Sequence, residues 1–434
     1  MTTAVAGAAA LVLLLVTIRR PTAGVAAWVA VLVLVPHWTP MGPAGVRPVA
    51  LAGVAVLIGV LASRHRVRVT WSVADSALVL AGAVVAIFVA FGGYPTSLVA
   101  NVVGVLLVSY ALGRLAPQAA GTAFAVTMVG VALWGIVEFT TGWYAFAEWM
   151  TSAPGYVDGN SDRGGVLRSL GAFGHPIAYG AAVALAIPFA LRFRRFAAVS
   201  VVVLVAGVAT SLSRGPLLAA ALAVVLAVVV TSRRERKQGT LLVLVLAGVG
   251  VAIVLQFIYG ADDRSTLDRS TDTRLDQLAA TVPHLRAFGS ERIGVEDGQL
   301  VTAGSDVIDN TLLRLSVNYG VVVAILLLAA VLLVIGKAVR GRWTPASVAV
   351  VAQLPVLATA SLITQWQAAL FFVSGMAVTS LARARTPGRG RAPARVNSDG
   401  VNPARPNPAR PNPARVNPAR PNPARAALAS GGPR

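Results

Sequence analysis

Long apolar stretches separated by short polar links recur from one end of this chain to the other. A helix needs about 20 apolar residues to cross a bilayer, and only a helix or a closed barrel satisfies its own backbone there. The pattern predicts helices over 3–18, 22–36, 46–63, 74–91, 97–113, 119–138, 176–191, 196–212, 215–231, 240–258, 318–336, 346–365 and 367–382, the last two readable as one broken hairpin. The expected fold is therefore all-α, a polytopic transmembrane bundle of about 12–13 helices. Short helices are expected in one large external loop.

The polar links give an orientation. Arg19 and Arg20, Arg64, Arg66 and Arg68, Arg114, Arg192, Arg194 and Arg195, Arg233 to Lys237, and Lys337 to Arg342 follow alternate helices. Basic loops mark the cytoplasmic side, so every odd-numbered helix exit is expected there. The first helix is followed, not preceded, by its charges, which reads as an uncleaved segment rather than a signal peptide. Five regions result: N-terminal helices over 1–139, core helices with a first external loop over 140–258, a large external loop over 259–317, C-terminal helices over 318–382, and a basic cytoplasmic tail over 383–434. The tail carries five Asn-Pro-Ala-Arg repeats, whose prolines prevent a helix and whose composition cannot build a core. In the first external loop, Trp143, Tyr144, Phe146 and Trp149 resemble an interfacial aromatic belt. In the second, residues 271–288 place Leu275, Leu278, Ala279, Val282, Leu285 and Phe288 on one face of an expected amphipathic helix.

Composition narrows the class. The 434 residues are 56% hydrophobic and 12% charged, against about 25% charged in soluble domains. The formal charge of +20 suggests nucleic acid at first sight. However, the tail from Arg383 onward holds eleven arginines against Asp399 alone, and much of the remainder lies in the short basic links. No nucleic-acid partner is expected; membrane lipids are. The absence of cysteine excludes thiol catalysis and Cys-based metal sites, and there is no Walker A motif or zinc-type His/Glu helix, so no metal or cofactor is expected.

Three arginines stand outside the basic links. Arg168 lies in Arg-Ser-Leu-Gly-Ala-Phe-Gly-His-Pro, Arg214 in Ser-Leu-Ser-Arg-Gly-Pro, and Arg274 opens the amphipathic segment. Charge near membrane depth is expensive and is retained for function or paired, and the guanidinium fork suits phosphate. Each arginine either binds an anionic group, or simply snorkels to the headgroups or pairs with an acid. His175, before Pro176, is either a proton-transfer group or a helix cap. Asp309 is either a general base or an N-cap, with Asn310 beside it, and His284 is a weaker substrate-contact candidate on the loop helix.

The stretch from Gly165 to Gly320 resembles the O-antigen ligase / O-antigen polymerase family of bacterial membrane proteins. The resemblance is carried by Arg168 with Gly171-Ala-Phe-Gly-His-Pro176, Ser213-Arg214-Gly215, Arg274, Asp309-Asn310 and Asn318-Tyr319-Gly320, in that order and spacing. It implies a metal-independent, inverting glycosyltransferase at the outer face of the cytoplasmic membrane. Such an enzyme moves saccharide from an undecaprenyl-diphosphate-linked donor to a glycan or other hydroxyl acceptor, alongside envelope-polysaccharide assembly proteins. The resemblance assigns the diphosphate to Arg168, Arg214 and Arg274. Ligases of the family carry His-Asn where this chain has Asp309-Asn310, which favours a polymerase over a lipid A–core ligase. A transporter or flippase of a lipid-linked or anionic envelope precursor is the competing expectation.

Overall fold

The computed structural model describes residues 2–36, 39, 46–63, 69–91, 96–146, 162–163, 166–232, 278–279, 281–289, 293–296, 299–302 and 308–383. Of the sequence expectations, the helix over 240–258, Arg274, the start of the amphipathic segment and the repeat tail lie outside these residues.

The described chain is almost entirely helical. In order it forms α1 (Thr2–Arg19), α2 (Pro21–Leu34), α3 (Pro48–Ala62), α4 (Val73–Ala90) and α5 (Thr96–Val99), which continues through a π-helical stretch (Ala100–Leu107) into α6 (Val108–Leu115). Then come α7 (Ala120–Thr141), α8 (Pro176–Ala184), α9 (Ile187–Ala190), α10 (Ala197–Ala209) and α11 (Arg214–Ser232). The last group is α12 (Thr311–Tyr319), α13 (Val321–Val339), α14 (Pro345–Ala352), α15 (Leu354–Thr359) and α16 (Thr364–Arg383). Two small antiparallel hairpins, Asp162–Arg163 with Val166–Leu167 and Ile293–Glu296 with Gln299–Thr302, are the strands among the described residues.

The helix starts follow local chemistry. Pro21, Pro48, Pro176 and Pro345 each occupy the first helical position, where the missing N–H costs nothing. Ser72 and Asp75 form a reciprocal capping box at α4, and Thr344 and Ser347 do so at α14. Three helices are long and apolar enough to cross a membrane: Val73–Ala90, Ala120–Thr141 and Val321–Val339. Their apolar windows are only 33%, 39% and 44% buried, and the exposed remainder includes Leu80, Leu133 and Leu332. Apolar side chains facing outward on helices of this length suit a lipid surround.

Small residues set the closest helix crossing. A Cβ on Gly113 would meet the carbonyl of Phe372, and one on Gly375 would meet the carbonyl of Tyr110 and, at 2.9 Å, the backbone nitrogen of Arg114. Each glycine therefore lets α6 and α16 approach backbone to backbone, the small-residue packing of helices that have no hydrophobic driving force between them in lipid. Around this crossing Trp28, Phe124 and Phe372 form a fully buried aromatic cluster, with Phe372 centroids 5.0 Å from Trp28 and 6.2 Å from Phe124.

Several boundaries depart from expectation. The segment expected from 318 begins at Thr311 and is two helices hinged at Gly320, whose φ is +86°. A Cβ there would strike the Ala287 carbonyl and the Phe288 Cα at 2.7 and 2.6 Å, so the hinge requires glycine. The expected amphipathic helix does not reach Phe288: the chain makes a 3₁₀ turn over Val282–His284 and is extended from Leu285. Pro283 lies within that turn and removes a helical donor. Arg114, read from sequence as a link charge, is 4% exposed inside the bundle. Its Nε and Nη2 each donate to Asp75 at 2.9 Å, Nη1 donates to Thr379 Oγ1 at 2.8 Å, and Tyr110 Oη also donates to Asp75 at 2.7 Å.

Candidate functional site

Arg192 and Arg383 stand together at the ends of α9 and α16; Arg168 precedes α8, Arg214 follows α10 and opens α11, and Asn310 caps α12, at the other end. At this second end two turns lie side by side. The segment 168–171 leads into α8, and the turn 210–213 joins α10 to α11. Ser169 N donates to the Thr210 carbonyl at 3.1 Å. Arg168 crosses the gap with its side chain: Nε donates to the Ser211 carbonyl at 2.9 Å and Nη2 to Ser213 Oγ at 2.6 Å. Ser213 Oγ in turn donates to the Ser211 carbonyl at 2.9 Å. Two bonds from one planar fork fix the guanidinium in place. The receiving turn is strained, since Leu212 holds φ +45° without being glycine, a conformation that surrounding structure must impose.

What imposes the geometry of the first turn is a buried carboxylate. Glu138, in the last turns of α7 and 1% exposed, accepts from Leu170 N at 3.1 Å, Gly171 N at 2.8 Å and Trp134 Nε1 at 3.0 Å. Ser169 Oγ adds a bond to the Gly135 carbonyl at 2.6 Å, and Tyr144 Oη donates to the Arg168 carbonyl at 2.9 Å. Burial pushes the Tyr144 hydroxyl up to about 12, so it remains a proton donor. The turn that carries Arg168 is thus tied to α7, to α10 and to the loop after α7.

His175 is resolved by its geometry. Its Nδ1 accepts from Ile177 N at 3.3 Å, so the ring caps α8. Burial, with the Arg168 charge nearby, lowers its pKa to about 4. The imidazole is neutral at ordinary pH, which is what an accepting Nδ1 requires.

A third segment comes from later in the chain. Asn310, not Asp309, is the N-cap of α12: its Oδ1 accepts from Leu313 N at 3.0 Å, and its Nδ2 donates to the Ala358 carbonyl at 3.0 Å. Thr311 Oγ1 donates to the Ala360 carbonyl at 2.7 Å, and Ser361 Oγ to the Ile308 carbonyl. The same segment abuts the first turn of α11, since a Cβ on Gly215 would lie 3.0 Å from Thr359 Oγ1 and 3.7 Å from Val356 Cα. Residues 356–360 therefore connect Gly215 on one flank with Asn310 and Thr311 on the other. His284 is exposed in the 3₁₀ turn, just before the point where the Arg286 and Ala287 carbonyls accept from Val321 N and Val322 N at 2.9 and 3.1 Å.

Several polar contacts at this end have no counterpart in the sequence reading. Asn101, in the π-helical stretch, exchanges amide bonds with Gln367 at 3.1 and 3.3 Å and lies 3.5 Å from Tyr319 Oη. Gln365 Nε2 bridges the carbonyls of Val35 and Ala172 at 3.0 and 2.7 Å. Glu138 had a sequence signal, an acid in an otherwise apolar run; the amide contacts had none. Chemically, the arrangement offers one oriented guanidinium, that of Arg168, on a turn interlocked with the one that precedes Arg214, with residues 356–360 reaching from Gly215 to Asn310. No protein family, curated protein or solved structure matches this chain.

Proposed function

We propose that this chain is a polytopic membrane glycosyltransferase of the O-antigen ligase/polymerase type. In this reading it works at the outer face of the bacterial cytoplasmic membrane, with the Arg19, Arg192 and Arg383 end in the cytoplasm. The observation that carries the reading is the locking of Arg168 onto the Ser211–Ser213 turn immediately before Arg214. Two arginines from motifs 46 residues apart in sequence thereby belong to one rigid unit. An acceptor hydroxyl oxygen attacks the anomeric carbon of a lipid-linked saccharide, and the bond from that carbon to the undecaprenyl diphosphate oxygen breaks. Negative charge grows on the departing diphosphate, where preoriented guanidiniums stabilise it most. Asn310 takes the capping role at α12, and Asp309 beside it receives the hydroxyl proton. His175, capping and neutral, supports the backbone at the site.

The Asp75–Arg114 pair favours a second reading, a transporter or flippase, because ionisable groups within helices mark substrate and ion pathways. Its bonds point to structure instead: both partners are satisfied within the bundle, and Asp75 also serves the α4 cap. The test is Arg214→Ala at normal protein level, scored by surface polysaccharide chain length. Short or absent polymer is expected, and polymer of normal length would refute the catalytic role. In liposomes lacking any gradient, glycosidic bond formation identifies the enzyme, whereas lipid-linked glycan movement without new bonds identifies the transporter.

A further inference from the structure

A cavity of about 270 Å³ opens at the Arg-rich end, away from the site above, between the start of α7, the end of α9, the start of α14 and the end of α16. Arg192 and Arg383, both exposed side chains, line it, and no acidic residue among the described residues does. Its remaining polar lining is uncharged: Gln118, Thr122, Thr344, Thr379 and Ser380 stand among apolar groups such as Phe189 and Met376. Thr122 belongs to the first turn of α7, whose N-cap residue Ala119 supplies no side-chain bond, so a positive helix end adds to the two arginines. We infer that this cavity binds the phosphate of an anionic phospholipid headgroup.

The surface beyond the cavity commits the occupant to a lipid. Val126 lies one helical turn beyond Thr122 on the same face of α7 and is 58% exposed; Leu133 continues that face two turns further and is 50% exposed. A cationic pocket that continues into an apolar stripe matches a charged headgroup joined to acyl chains, and basic pockets between helices are a recognised mode of lipid binding. The volume fits a headgroup rather than a whole lipid, whose chains would lie along the stripe. The inference rests on the helices facing lipid and is independent of glycosyl transfer.

The test uses the purified full-length chain in neutral detergent, titrated with dihexanoyl phosphatidylglycerol, dihexanoyl phosphatidylcholine or inorganic phosphate, with binding read by native mass spectrometry. The expected result is an about ten-fold preference for phosphatidylglycerol, the scale of one charge-assisted contact. R192Q/R383Q should abolish that preference, whereas R19Q/R20Q, which removes two arginines that do not line the cavity, should retain it. Both variants change exposed side chains, and an unaltered thermal midpoint verifies the fold. Equal loss in the two variants would reduce the effect to diffuse surface charge and overturn the proposal. So would a preference that survives R192Q/R383Q, or competition by inorganic phosphate at the same concentration as the lipid, which would make this a free-anion site.

Discussion

Replacing Glu138 tests whether the turn bearing Arg168 is held by one buried carboxylate. The Glu138→Ala change removes the acceptor of three N–H groups, those of Trp134, Leu170 and Gly171. A buried donor left unpaired costs about 1–3 kcal/mol. The loss is therefore roughly 3–9 kcal/mol if the cavity stays dry, and less if water enters; a domain's whole stability is about 5–15 kcal/mol. Glu138→Gln separates the contributions. Its one carbonyl oxygen can keep the Leu170 and Gly171 bonds, but its NH₂ then faces the Trp134 donor, so one bond is lost and the cost is about 1–3 kcal/mol. Adding Trp134→Phe removes that donor conflict, and the double variant should be milder than the sum of the singles by about 1 kcal/mol. Hydrogen exchange over 166–172 reads the local effect: the Leu170 and Gly171 amides should exchange about 10–100-fold faster in Glu138→Ala. Unchanged exchange there in a folded protein would refute the clamp. So would equal losses from Gln and Ala, since that would make side-chain volume, not acceptance, the cause.

Two further perturbations address the other ionisable groups. Because the folded-state pKa of His175 is depressed to about 4 from an ordinary 6.5, the folded protein binds fewer protons than the unfolded chain between those values. Its stabilising contribution is complete above pH 6.5 and declines as pH falls toward 4, by at most about 1.4 kcal/mol per pH unit. His175→Gln should flatten that part of the unfolding midpoint against pH, and an identical profile would refute it. Asp75→Ala strands a buried Arg114 and should cost about 3–5 kcal/mol, whereas Asp75→Leu with Arg114→Met should recover most of it, because removing both partners leaves no orphaned charge. Detergent-solubilised yield and thermal midpoint measure both, and a double variant no better than the single would count against a purely structural pair.

The helices were legible because their causes are local. Apolar runs, first-position prolines and the Ser72 cap lie within a few residues of what they control, and the boundaries of α1, α4 and α7 fall within three residues of expectation. Misreadings arose where local signals were outweighed. Arg314, Ser316 and Asn318 lower the hydropathy of α12, so the apolar pattern starts the expected helix only at 318 rather than at Thr311. Arg114 carries the residue type of a topology signal, yet its partner Asp75 is 39 positions away. The arginine motifs of the site were visible as sequence, but their union was not: Glu138 reaches Gly171 across 33 residues, and Arg168 reaches Ser213 across 45. Periodicity carries no information about which turns will meet.

The contrast between Arg114 and Arg168 bears on why one is structural and the other a candidate for chemistry. Asp75 meets Arg114 with a full negative charge at two nitrogens, which cancels the charge where the two are buried together. Two of the acceptors that orient Arg168 are a carbonyl and a hydroxyl, and the acid that organises its turn, Glu138, bonds backbone amides and an indole. Neutral acceptors such as these fix the plane of a guanidinium without themselves cancelling its charge. A carboxylate in their place would hold the arginine equally well and remove most of its attraction for a diphosphate. If the proposed glycan transfer uses the Arg168 charge, Ser213→Asp should retain the fold and the Arg168 contact yet lose polymer, whereas Ser213→Thr should keep both. Polymer of normal length from Ser213→Asp would show that the Arg168 charge is not what the site uses.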